Sequence, residues 1–265
     1  MDLIIRNANL PDGRFGIDIG IKDGKIVALE TALTAKGQEE INVSGYLVSP
    51  PFVDAHFHMD ATMSLGQPRL NQSGTLLEGI TLWGELKPYL TVDAIKERAL
   101  KFCDLAVARG LLAIRSHVDV CDPRLLAVDA LLEVKKEVAP YLDLQLVAFP
   151  QDGFFSSPQA AELLETALDR GVDVVGGIPH FERTMDEGRK SVEVLCRIAA
   201  ERGLRIDMHC DESDDPLSRH IETLTAETVR HGLQGRVTGS HLTSMHSMNN
   251  YYVSKLLPLM AEAEI

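Results

Sequence analysis

From about residue 49 onward, short apolar runs alternate with long amphipathic stretches, and this alternation limits the fold more than any other feature of the chain. Six runs recur, at residues 48–58, 111–119, 142–150, 172–179, 205–210 and 236–241. Short buried strands separated by helices build βα units on a parallel sheet. Asp122 before Pro123 and Ser157 before Pro158 read as helix N-cap and first-turn pairs, while Gly110, Gly171 and Gly203 stand where helices should stop. An open doubly wound sheet should carry a glycine-rich phosphate turn after its first strand, and none follows residue 58. The expected fold is therefore α/β, a (β/α)8 TIM-type barrel over residues 49–265 of which about six βα units are present. A helix-like run over 252–264 stands where a seventh strand is expected next, so the chain reads as truncated at its C-terminus, with two strands beyond residue 265.

Residues 1–48 follow a different pattern. Short strands at 3–6, 17–21 and 25–29 are divided by Pro11-Asp12-Gly13 and Lys22-Asp23-Gly24, and Asp-Gly between apolar runs signals a hairpin. This segment reads as a small β-sandwich-like domain, incomplete without a C-terminal segment. Residues 64–89 fit neither period and read as a long loop, lid or binding loop.

Composition excludes several partners. Lys and Arg number 26 against 39 Asp and Glu, a net charge of −13 with no basic cluster, which disfavours nucleic acid and anionic membrane surfaces. No apolar run approaches the roughly 18 residues that cross a bilayer, and Met1-Asp2-Leu3-Ile4-Ile5-Arg6 is unlike a signal peptide. A cytoplasmic protein is expected. Cys103, Cys121, Cys196 and Cys210 form no C-x-x-C pair, so neither a disulfide framework nor a zinc knuckle is expected.

The chemistry concentrates at the ends of the apolar runs. In Asp54-Ala55-His56-Phe57-His58 strand alternation turns Asp54, His56 and His58 to one face, and two imidazoles at i and i+2 can grip one metal ion. An isolated H-x-H reads more readily as a hydrogen-bonded or surface pair than as a pair of ligands. His209 and Glu212 close the fifth run, however, and His241 closes the sixth. Catalytic groups of βα barrels gather at the C-terminal ends of strands, and neutral imidazole suits zinc and iron. Three strands delivering histidines to one rim therefore favour a metal site.

These stretches, with Gly66-Gln67-Pro68, Asn71-Gln72-Ser73-Gly74-Thr75-Leu76, Arg115-Ser116-His117-Val118-Asp119-Val120, Val147-Ala148-Phe149-Pro150-Gln151 and Ile178-Pro179-His180-Phe181-Glu182, resemble the amidohydrolase superfamily, in particular its bacterial cytosine deaminase branch. The resemblance runs almost from end to end. It implies that His56, His58 and His209 ligate one divalent ion, Fe(II) or Zn(II), with a fourth ligand, an Asp, beyond residue 265. His241 would orient the reacting water, Glu212 would shuttle protons, and Gln151 with main-chain groups near Leu76 would hold the pyrimidine edge. The run over 174–178 lacks the Lys that bridges two metals in other members, so one ion is expected. The implied reaction is hydrolysis of cytosine or a close analogue to uracil and ammonia in a homo-oligomer. Other small cyclic amidines or amides, such as isocytosine, creatinine-type or aminotriazine rings, remain open as substrates, as does an inactive truncated binding paralogue. His117, Asp119, His180 and Glu182 are expected to support the ligands by hydrogen bonding, and His220, His231 and His246 to be structural.

Overall fold

Strand β1 (Leu3–Ala8) pairs antiparallel with β2 (Ile17–Lys22) and parallel with β4 (Glu39–Asn42), and β3 (Lys25–Thr31) completes the sheet in the order β3-β2-β1-β4. The computed structural model describes residues 1–265 and divides them into two units, Met1–Pro51, which holds this four-stranded mixed sheet, and Phe52–Ile265. Lys22-Asp23-Gly24 makes the expected β2–β3 hairpin. Strand β4 has no counterpart in the sequence reading, because Glu39-Glu40-Ile41-Asn42 is exposed throughout and lacks the alternation of a half-buried strand. Polar contacts hold it instead, with Arg6 donating to both Glu40 carboxylate oxygens at 3.0 Å.

In the second unit β5 (Phe52–Phe57), β6 (Leu111–Asp119), β7 (Asp143–Phe149), β8 (Val174–Gly177), β9 (Arg205–Cys210) and β10 (Val237–His241) are all parallel and neighbour one another in chain order. The sheet curls until Ser240 on the last strand reaches His56 on the first, so six strands make a nearly closed barrel with one open seam. Helices α1 (Leu76–Leu86), α2 (Val92–Val107), α3 (Leu126–Val138), α4 (Ala160–Asp169), α5 (Met185–Arg202), α6 (His220–Arg230) and α7 (Asn250–Glu262) connect or follow the strands. Leu131, Leu144, Leu146, Leu164, Leu195 and Ile206 are fully buried where helices meet the sheet. Each such side chain contributes on the order of 1.5–3 kcal/mol by leaving water. At Gly176 any side-chain carbon would collide with the Ala148 carbonyl of the neighbouring strand, so glycine is what allows β7 and β8 to approach.

Helix starts agree with the sequence where a threonine caps them. Thr184 accepts from the Glu187 N–H at 3.1 Å at the start of α5, and Gly203 ends that helix with φ 67°. The Asp-Pro and Ser-Pro pairs behave differently from expectation. Asp122 folds back on the Arg124 N–H at 3.0 Å in a turn of its own, and α3 starts only at Leu126, behind a left-handed Leu125. Likewise Ser157 lies in a turn ahead of α4, which starts at Ala160 behind a left-handed Gln159. Residues 64–89 are not simply loop, because α1 forms there, its Thr75 side chain accepting from the Glu78 N–H. Leu76 and Leu77 remain more than half exposed, so the helix does not present the core-facing period from which helices are read.

Candidate metal centre and active site

The strand ends deliver four histidines to one point. Ring nitrogens of His56, His58, His117 and His209 all lie within 4.8 Å of one another. His58 Nε2 stands 3.0 Å from His209 Nε2, and the His209 ring stacks on Phe149 with centroids 4.1 Å apart. His117, expected only to support the ligands, is the fourth member of the cluster and is completely buried, and neither of its ring nitrogens has a hydrogen-bond partner. Nδ1 of His209 is likewise buried and unpartnered. Burial, reinforced by neighbouring imidazoles, pushes His56 down to about 4 and His58 to about 3, and lowers His209 further. Neutral, converging imidazoles with unpartnered buried nitrogens are a donor set for a divalent metal ion.

A hydrogen-bond chain fixes the tautomer of His56. Asp207 on β9, fully buried, accepts from Arg115 Nη1 at 2.8 Å and from the Ser240 hydroxyl at 2.7 Å. Burial pushes the Asp207 carboxyl up, but the His117 ring, whose Nε2 lies 3.5 Å away, and hydrogen bonds from the Ser240 and Arg115 side chains outweigh it and hold the group below its ordinary value. With its proton given to Asp207, Ser240 Oγ offers a lone pair to His56 Nδ1, 3.1 Å away. His56 therefore carries its proton on Nδ1 and leaves Nε2 free to bind a metal.

Above the cluster opens a cavity of about 610 Å³ lined by every residue expected at the site, namely His56, His58, Leu76, Gln151, His209, Glu212 and His241. His241 ends β10 with φ 73°, a left-handed conformation that costs roughly 1–3 kcal/mol outside glycine. Its ring centroid lies 4.7 Å from that of His56 and 4.9 Å from that of His209, and its Nε2 is 3.7 Å from Glu212 Oε2. An imidazole and a carboxylate thus stand together beside the histidine cluster.

Several lining residues lie outside the sequence expectation. Asp60, Trp83 and Phe181 face the cavity beside His180, expected to support the ligands and pushed down by burial to about 4. Burial pushes the Asp60 carboxyl up to about 7 although it accepts the Asp119 N–H at 2.9 Å. Glu182 does not reach the cavity and instead collects the N–H groups of Phe154, Phe155 and Ser156, tying the loop after β7 to the turn after β8. The alternation Asp207-Met208-His209 and the pair Ser240-His241 were the available signals for the buried relay, since they place a second polar group beside each histidine.

Comparison with known proteins agrees with this architecture. The model of the amidohydrolase family matches residues 39–265. N-isopropylammelide isopropyl amidohydrolase of Pseudomonas sp. (strain ADP) is 34% identical over 99% of this chain and 66% of its own length. The crystal structure of 5-methylcytosine deaminase from Klebsiella pneumoniae, liganded with phosphonocytosine, superposes with a TM-score of 0.94 at 43% identity, over 99% of this chain and 64% of that one. N-isopropylammelide isopropylaminohydrolase from Burkholderia multivorans ATCC 17616 follows at TM-score 0.85 and 27% identity, over 100% of this chain and 67% of that one. The chain thus spans about two thirds of the length of these relatives. No helix is long and apolar enough to cross a membrane. Barrel, histidine cluster and family match coincide over the same residues, and the chain belongs to the amidohydrolase family.

Proposed function

We propose that this chain carries the metal-binding and ring-binding part of a hydrolytic deaminase acting on cytosine or a close pyrimidine analogue. One observation supports the reading above the rest: neutral histidines, the Glu212–His241 pair and Gln151 share a single cavity. His56, His58 and His209 would hold the ion, Fe(II) or Zn(II), with His117 as the buried fourth imidazole. A divalent ion held there supplies Lewis acidity, which makes water nucleophilic near neutral pH.

The protein's own groups supply the rest of the chemistry. His241 orients the attacking water by hydrogen bonding. Glu212 takes a proton from it and gives that proton to the ring nitrogen beside the amine-bearing carbon, then takes the remaining proton of the added hydroxyl and passes it to the amine, so that the C–N bond breaks, the carbonyl forms and ammonia leaves. Proton transfer of this type contributes about 10² to 10⁴ in rate. Gln151, carrying both a donor and an acceptor, reads the N–C=O edge of the ring together with main-chain groups near Leu76.

The relatives favour one second reading, because two of them are named for action on N-isopropylammelide. Ammonia release from cytosine, 5-methylcytosine and isocytosine, set beside isopropylamine release from N-isopropylammelide, each with Fe(II) or Zn(II), separates the two. Fastest turnover of a cytosine is expected, and faster turnover of the triazine transfers the assignment to that ring.

A further inference from the structure

Away from the histidines, a single cation joins two walls of the cavity. Lys87 lies in the 3-10 turn Lys87–Tyr89 that follows α1, and its side chain is 15% exposed. Its Nζ stands 2.7 Å from Asp119 Oδ2 and 2.6 Å from Asp152 Oδ2. Asp119 ends β6, and the same Oδ2 accepts the indole N–H of Trp83 at 2.7 Å, while Oδ1 accepts the Cys121 N–H at 2.7 Å. Asp152 is the residue next to Gln151. Arg124 donates to the Lys87 carbonyl at 2.7 Å and so fixes the turn that carries the lysine.

An ion pair serving only to hold α1 down would need one carboxylate. Here the second comes from the loop that carries the proposed ring-edge reader, and the first also grips the aromatic side chain that faces the same cavity. Burying a lysine is costly unless its charge is paired, and this one is paired twice. We propose that Trp83 is an aromatic contact for a planar nitrogen heterocycle, and that Lys87 is the positioning residue that sets Trp83 and Gln151 against the same ring. The inference rests on the cavity being the ring site proposed above, and it adds a specificity element. Rings with an extended π-face gain from Trp83, and saturated or strongly puckered rings do not.

The chain holds a single tryptophan, so its indole emission reports Trp83 alone. Cytosine titrated into the metal-loaded protein is expected to quench that emission saturably, with a Kd matching equilibrium dialysis. Lys87→Met is expected to shift the unliganded emission to the red as the indole loses its fixed partner, and to raise the cytosine Kd by up to about tenfold, the size of one aromatic contact. Lys87→Arg should restore both. Asp152→Asn, at a half-exposed position, should weaken cytosine binding while leaving the emission maximum in place. Dialysis-proven binding with no indole response overturns this proposal and spares the deaminase reading. No binding of either cytosine or N-isopropylammelide overturns both. Should Lys87→Met fail to fold, an unchanged cytosine Kd in Asp152→Asn is enough to refute the coupling.

Discussion

His58 Nε2 and His209 Nε2 face each other at 3.0 Å although 151 residues separate them in the chain. Both imidazoles are held neutral by burial, so at most one proton can sit between the two nitrogens. With both nitrogens deprotonated, as metal binding requires, two lone pairs point at one another and a shared cation offsets their repulsion. Folding and metal binding should therefore be linked. An ion present at about 100 times its Kd adds about 2.7 kcal/mol to the folded state. Chelation is expected to lower the melting temperature by several degrees, and His209→Ala should abolish that response. Identical melting of wild-type protein with and without chelator would refute a metal centre here.

The relay from Asp207 through Ser240 to His56 gives a prediction of its own. Ser240→Ala removes the acceptor that holds the proton on His56 Nδ1 and leaves Asp207 without one of its donors. Groups that orient a metal-bound histidine typically account for 10- to 100-fold in metal affinity. Competition with a chromophoric chelator should show a weakening of about that size, with little change in far-ultraviolet circular dichroism. Wild-type affinity in Ser240→Ala would show that the hydroxyl merely fills the seam.

The parts of the fold legible in the sequence are those set by periodicity and burial. The six barrel strands fall within the apolar runs because parallel strands covered on both faces must be apolar throughout, as β8 with Val174-Val175-Gly176-Gly177 is. His56, His58, His209 and His241 could be placed because each ends such a run. What escaped notice depends on three-dimensional neighbours. Strand β4 is polar and held by Arg6, and α1 turns Leu76 and Leu77 to open space and the cavity instead of the core. Phe149 stacks on His209 only because the curled sheet brings β7 and β9 to one point, and His117, expected only to support the ligands, stands among the imidazoles for the same reason.

Glu212 and His241 stand 3.7 Å apart at the cavity wall, and Glu212 lies three residues beyond His209 without joining the imidazole cluster. Glu212→Gln keeps the shape and removes the basic oxygen. Metal content should stay at the wild-type level while ammonia release falls by about 10² to 10⁴, the contribution of one positioned proton carrier. Turnover at the wild-type rate removes Glu212 from the mechanism, and a parallel loss of metal would make it a ligand.

The residue before Glu212 sets its direction. Asp211 has φ 53° and a fully buried side chain that accepts the Ser218 hydroxyl at 2.7 Å, the His220 N–H at 3.0 Å, His220 Nδ1 at 2.7 Å and the Ile221 N–H at 2.9 Å. Burial pushes this carboxyl up, yet the His220, Ser218 and Ile221 bonds prevail and bring it down from 3.8 to about 2. A carboxylate whose folded value is depressed stabilises fully above its unfolded value and loses that contribution as the pH falls. The window here runs from 3.8 down to about 2. Asp211→Asn, which keeps one acceptor but gives up the charge, should cost about 2–3 kcal/mol at neutral pH. The variant should also show a shallower loss of stability within that acid window. Because the same bonds anchor the start of α6 and the turn that carries Glu212, turnover should drop with the metal site intact. Denaturant melts at neutral pH and near pH 3, alongside ammonia release, measure all three effects, and equal acid slopes in the two proteins would show that Asp211 is not charged in the folded state.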